Sequence, residues 1–380
     1  MANTVQISNK ILDWVSSVIS QNDTFRVTLE SWRSGEKQPT FNQLEEFSNK
    51  THIPIGYFFL NSPPMENLEI IKFRTVDSLC LQNPSRDLID TVRQMENVQE
   101  WMRENVIASK GEKVPFLGAL NTNVDVMSIS YAVRKVLSLS ITWFEQSKSV
   151  DESFKYIRQA ISNAGVIVMM NGIVGSNTHR ALRVDEFRAF TLIDDYAPLI
   201  FINSADVKAA MLFSLLHEFV HIGLGKSSLF NAGISDENYI NPYEVVCNAV
   251  AAEILVPIEV FVNLWKRTYR TCEIEENIRS VAGYFKCSQS VIARRALDSG
   301  FITKDVYYRL ISQTVGSRKP VSSGGDYYKT QSTRIDKKFL LSLNTSIQEG
   351  KTLHTEAFRL TNTNRTTFDG VVREVQGERK

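Results

Sequence analysis

His217-Glu218-Phe219-Val220-His221 is the stretch of this chain best equipped for chemistry. Histidines four apart on a helix project from one face, a turn apart. Two such imidazoles can share one Zn²⁺, with Glu218 beside it as general base for a water. The chain has 5 histidines, so this spacing around a glutamate is an improbable accident. The competing reading is a core helix whose histidines bond backbone carbonyls. Against it stands the cost of placing two imidazoles and a carboxylate in the apolar run 211–224 without a shared partner.

A zinc site with two histidines needs a third ligand and an open position. Glu244 is the first candidate. It lies in a second apolar helix read over 241–255, stopped by Pro257. On that helix Glu244, Asn248, Ala251 and Leu255 share a face, and the Ala251-Ala252 pair permits close packing on the HExxH helix. A carboxylate near a helix N-terminus is also favoured by the helix dipole alone, so position by itself leaves the role open. Glu253 and Glu237 are the rivals. Glu253 falls nine positions later, on the opposite side of the helix, and Glu237 falls in a loop. In such a site Zn²⁺ polarises a scissile carbonyl, while Glu218 takes a proton from water and passes it to the leaving amine. His179, Arg180, Arg188 and Tyr239 are open candidates for steadying the oxyanion. Nothing in the sequence selects among them, and a surface or packing role is the plainer reading for each.

The elements that must position these residues follow from periodicity. Apolar runs at 165–170, 188–193 and 198–203 read as strands of a small sheet ahead of the HExxH helix, with Asp206 or Ser204 as its N-cap. Residues 1–60 read as short helices: one carrying Ile11, Leu12, Val15, Val18 and Ile19, one at 28–35 closed by a glycine, one at 41–47 capped by Thr40, and a last apolar segment at 53–60. The stretch 61–65 reads as a linker. A long amphipathic helix covers 84–108, with further helices within 127–162. Short helices follow at 277–285, 288–297 and 304–312, then a glycine-rich linker at 316–325 and a helical tail at 337–348, 356–361 and 366–375. The expected class is α+β, predominantly helical.

Composition sets the outer bounds. The chain has 380 residues, 43% hydrophobic and 22% charged, with net charge +1. These are values of an ordinary globular protein, and such a charge balance does not argue for nucleic acid. Cys80, Cys247, Cys272 and Cys287 show no paired spacing and read as reduced thiols, hence a cytoplasmic setting. The N-terminus lacks a signal-peptide pattern, and the apolar runs are too short to span a membrane.

With these residues in view, the chain resembles the ImmA/IrrE-type zinc metallopeptidases fused to an XRE-type helix-turn-helix. The blocks 185–190, 197–203 and 213–221 are similar to successive parts of that peptidase domain, and 244–257 to its second helical block. The resemblance implies a zincin-like metallopeptidase core flanked by helical modules, with His217, His221 and Glu244 as zinc ligands and Glu218 as catalytic base. It also implies a protein substrate, a helix-turn-helix repressor cleaved in a mobile-element, stress or phage-defence module. The expected domains are 1–62, XRE-like; 63–270, metallopeptidase; 271–316, helix-turn-helix-like; and 326–380, a small helical module. Residues 29–40, 57–60 and 73–75 are similar to the back half of the XRE domain. The interval between Trp14 and Trp32 is short for a complete one, and 21–31 carries a single cation, Arg26. DNA binding there is therefore one option beside a vestigial or protein-binding module. Arg294 and Arg295 on the 288–297 helix are within reach of a phosphate, but the resemblance implies a packing role for that segment. The competing functional reading is an antitoxin-like or transcriptional regulator that binds a toxin partner or DNA with little turnover.

Overall fold

The computed structural model describes residues 4–19, 23–64, 84–230, 241–268, 273–314 and 326–377. Glu237, Tyr239, Cys80, Cys272, the 73–75 block and the linker expected at 316–325 lie outside them. Among the described residues no single helix is long and apolar enough to cross a membrane. The fold is α+β and predominantly helical, with a four-stranded mixed sheet.

The chain divides into two compact units, Met1–Arg93 and Gln94–Lys380. In the first, α1 (Asn9–Val18), α2 (Asp23–Arg33), α3 (Phe41–Thr51) and a 3₁₀ turn (Ile55–Phe59) enclose Ile11, Leu12, Val15, Leu29, Leu44, Phe47, Ile53 and Phe58. Thr40 caps α3 as expected, in a reciprocal box: its side chain accepts from the Gln43 amide while the Gln43 side chain accepts from the Thr40 amide. Gly35, at φ 75°, supplies the left-handed turn after α2. The long helix α4 (Arg86–Ala108) starts in this unit and continues into the second.

The second unit holds α5 (Val126–Leu137), α6 (Val150–Asn163) and the strands β1 (Ile167–Asn171), β2 (Ala189–Leu192) and β3 (Leu199–Asn203). Next come α7 (Lys208–Gly223), β4 (Ser228–Phe230), α8 (Pro242–Leu255) and α9 (Ile258–Thr268). Then follow α10 (Ile274–Phe285), α11 (Gln289–Asp298), α12 (Lys304–Thr314), α13 (Tyr327–Arg334), α14 (Lys337–Gln348), α15 (His354–Thr361) and α16 (Arg365–Gln376). The strand order is β1-β3-β2-β4, with β1 parallel to β3 and the other pairs antiparallel. The three strands read from the sequence form nearly where expected. β4 is too short and too polar at its start for its periodicity to register.

Strand alternation sorts the sheet into two faces. Val168, Met170, Ile200, Ile202 and Ala189 join the core that also holds α7. Phe190 and Phe201, directly paired across β2 and β3, stack at 5.0 Å between ring centroids on the other face. The outer edge of β1 is covered: Arg158 donates to the Val168 and Ile335 carbonyls, and the Val168 amide donates to Asp336. A covered edge leaves no ladder for another chain to extend.

Helix α7 is buried from Met211 to Gly223 apart from Phe213, which is half-buried. It is apolar nearly all round, as a central helix must be. The expected side-chain N-cap is not used. Val207 occupies the cap position, while Asp206 just before it pairs with Arg188 at 2.6 Å through one oxygen and accepts from the Val207 amide with the other. At the other end the loop after α4 takes over the last carbonyls: the Gly118 amide donates to Ile222 and the Leu120 amide to Gly223. Gly223 leaves room for this loop, since a Cβ there would run into the Leu120 side chain.

Helix α8 packs on α7 and α5. Asn241 caps it by accepting from the Tyr243 amide at 2.9 Å, and Pro242 sits in the first turn, where a missing N–H costs nothing. Its C-terminal carbonyls are taken by Arg134, which donates to Glu253 and Ile254, and by the Trp143 indole N–H, which donates to Ile254. A cation at this pole also complements the helix dipole.

Candidate metal centre

The two central helices bring His217, His221 and Glu244 together, with one ligand atom from each lying within 4.8 Å of the others. The two Nε2 atoms are 3.1 Å apart. Glu244 presents one oxygen to each imidazole, Oε2 to His217 and Oε1 to His221, both at 3.1 Å. His217 and His221 are buried, whereas the Glu244 side chain is 34% exposed. The cluster is thus walled by core on the α7 side and meets solvent on the α8 side.

Two ring nitrogens and a carboxylate turned onto one point need shared protons or a metal ion between them. Protonation is the form the side chains alone favour. Burial works against a charged His221, but the Cys247 thiol and Glu244 carboxylate beside it prevail and hold its pKa well above the usual histidine range. Burial likewise opposes ionisation of Glu244, but hydrogen bonds and charge from His217 and His221 hold it far below the usual carboxylate range. A metal ion can replace these protons. The donor set of two imidazoles and one carboxylate suits Zn²⁺. Tetrahedral bonds of about 2.0–2.1 Å keep ligand atoms about 3.3 Å apart, close to the separations here.

Glu218 is turned toward the sheet and is fully buried. Its Oε2 accepts from the Thr191 hydroxyl at 2.5 Å and from the Ser228 hydroxyl. Its Oε1 is also buried and accepts no hydrogen bond from the described residues. Thr191 and Ser228 are direct cross-strand partners on β2 and β4, so the sheet register sets both hydroxyls on the α7 side. Sequence reasoning missed this pair. The signal was one polar residue in the run Ala-Phe-Thr-Leu-Ile, at a position whose alternation places it with Ala189 on the core face. Cys247 was likewise read only as an isolated thiol, although it lies one helical turn after Glu244.

The other candidates fall elsewhere. Glu253 pairs with Arg295 at 2.6 Å and accepts from the Ile258 amide, on the far side of α8 from the histidines. Arg295 also donates to the Val256 carbonyl, so this arginine is spent on packing α11 rather than left for phosphate. Arg294 is paired with Asp298 within its own helix. Arg188 is engaged by Asp206, and His179 is exposed in the turn after β1.

Fold and site together describe an α+β protein with a paired-helix HExxH-plus-glutamate centre. Residues 179–297, which contain β2 to β4, both central helices and this whole cluster, are similar to a peptidase family whose model is described as the IrrE N-terminal-like domain. The likeness supports an ImmA/IrrE-type peptidase over that span. Residues 335–374 match a family described as a domain of unknown function. No curated protein and no solved structure matches the chain.

Proposed function

We propose that the chain is a zinc-dependent endopeptidase that cuts a regulatory protein, a helix-turn-helix repressor being the substrate class the family resemblance suggests. The observation that carries this reading is the convergence of His217, His221 and Glu244 on one point beside the buried Glu218. His217, His221 and Glu244 would hold the ion. When bound, Zn²⁺ supplies a Lewis acid for the scissile carbonyl and lowers the pKa of a water. Glu218 accepts a proton from the attacking water and returns it to the amine nitrogen as the C–N bond breaks. The apolar walls of α7 keep bulk water from competing for that proton. The half-exposed Glu244 marks the side from which an extended peptide enters. The N-terminal unit is proposed as a small helical recognition module, for which a protein partner is favoured over DNA by the sparse cations of 21–31.

Metal analysis combined with a Glu218→Gln variant tests this. The purified wild type is expected to hold one zinc per chain. His221→Ala and Glu244→Ala lose it, whereas Glu218→Gln keeps zinc but loses cleavage. A wild type without affinity for zinc, or a Glu218→Gln variant with full biological activity, would move the chain to the regulator class that binds a toxin or DNA without turnover.

A further inference from the structure

The carboxylate of Glu218 is not held symmetrically. Both of its hydroxyl donors, Thr191 and Ser228, converge on Oε2, while Oε1 accepts nothing from the described residues. Each hydroxyl carries one proton, and both are spent on the same oxygen. Thr191 Oγ1 also lies 3.4 Å from the Glu218 carbonyl, but its proton goes to the much closer carboxylate. The two donors come from different strands and are fixed by the β2–β4 register rather than by a mobile loop. Thr191 is fully buried, Ser228 nearly so, and α7 packs directly on β2 and β4.

We propose that Thr191 and Ser228 are positioning residues that clamp Oε2 of Glu218, so that Oε1 is the oxygen that handles the proton. This rests on the peptidase reading above. In the step it serves, a water O–H bond breaks and the proton passes to Oε1. The electron pair left on the water oxygen forms the new bond to the carbonyl carbon, and the carbonyl π pair moves onto the carbonyl oxygen. That pair then re-forms the C=O bond as the C–N bond breaks, and the proton on Oε1 passes to the leaving nitrogen, restoring the carboxylate. A carboxylate free to rotate would present either oxygen, whereas one held at Oε2 presents one oxygen at a constant place. Misplacement of a reacting group by about 1 Å can lower a rate about 10²-fold.

The test uses the full chain loaded with zinc and a random decapeptide library, with cleavage followed by mass spectrometry and the best-cut peptide then assayed singly. Thr191→Val and Ser228→Ala are each expected to lower kcat about 10- to 100-fold, as removal of an outer-shell partner typically does. KM and zinc content stay at wild-type values, and Thr191→Ser recovers most of the loss because it restores the hydroxyl. A crystal structure of the zinc-loaded Thr191→Val chain should show the Glu218 carboxylate displaced or in two rotamers. Where Thr191→Val folds poorly, Ser228→Ala at the short strand β4 carries the same comparison. An undiminished kcat in both variants, or a loss that Thr191→Ser does not recover, overturns the positioning role while leaving the peptidase standing. A wild type that takes up zinc and cuts no peptide in the library, nor any protein expressed with it, overturns the peptidase reading and this inference with it.

Discussion

At the scale of the residue, charge decides how the centre behaves. In protein stripped of metal by a chelator, His221 holds its proton to unusually high pH and Glu244 loses its proton at unusually low pH. A raised histidine stabilises the fold fully below its unfolded pKa of about 6.5, and that contribution is lost as pH rises through the folded value. A depressed carboxylate stabilises above its unfolded pKa of about 4.3, and that contribution is lost as pH falls through the folded value. Both contributions are therefore complete only between about pH 4.3 and 6.5. Thermal unfolding of the stripped chain should show this ion-pair stabilisation shrinking on the alkaline side, and His221→Ala should flatten that part of the profile. Zinc reverses the preference, because its ligands must be deprotonated. Calorimetric titration near neutrality, repeated in buffers of different ionisation heat, should record about one proton released per zinc and weaker binding as pH falls. Binding without proton release would contradict the ligand set.

At the scale of the element, the two central helices owe their placement to contacts that can be broken one at a time. Gly223 lets the 114–120 loop close on the end of α7. Gly223→Ala should lower stability by about 1–3 kcal/mol through overpacking against Leu120, seen as a lower denaturation midpoint. Arg295, partly buried, pairs with the buried Glu253 and ties α11 to the end of α8. Burial alone raises the Glu253 pKa even with Arg295 beside it, so a lost partner leaves a costly carboxylate. Arg295→Met should cost about 3–5 kcal/mol, whereas Arg294→Ala, an exposed helix pair, should stay within about 0.5 kcal/mol. The contrast separates packing from phosphate binding in this segment, because a phosphate site would make both arginines matter alike.

These elements also mark how far the sequence could be read. Apolar patterning located α7, α8, α10, α11 and α12 to within a few residues, whereas α9 and α13 were not read from the sequence. The HExxH spacing was legible because helix geometry converts spacing into direction, whereas Glu244 lies on another helix, so position alone left it open beside Glu253 and Glu237 and the family resemblance favoured it. Thr191 and Ser228 were not legible, since their meeting depends on the β2–β4 register, a long-range property that no local pattern encodes. The N-cap of α7 was misplaced because Asp206 gives one carboxylate oxygen to Arg188 and the other to the Val207 amide, not to an amide within the helix.

At the scale of the whole molecule, the C-terminal helices are bound into the second unit rather than appended to it. Arg158 reaches the Thr333 and Ile335 carbonyls, the Trp101 indole donates to Thr352, Ser176 donates to the Asn362 carbonyl, and the Trp101 and Phe339 rings meet edge to face. Removing 326–380 would strip the cover from the β1 edge and leave the partly buried Arg158 without its Thr333 and Ile335 acceptors, with the Val168 carbonyl remaining. The truncated chain should unfold at lower temperature with a broadened transition and aggregate by light scattering. A truncation that keeps the wild-type midpoint would make the tail a separate module. The central claim concerns what the assembled molecule does with Glu218. Its most direct test is mass-spectrometric mapping of new protein N-termini when the zinc-loaded chain is co-expressed with the proteins encoded beside it, in wild-type and Glu218→Gln forms. The account predicts a defined new terminus in one regulatory protein with the wild type and none with Glu218→Gln. The same set of termini with both forms would contradict it.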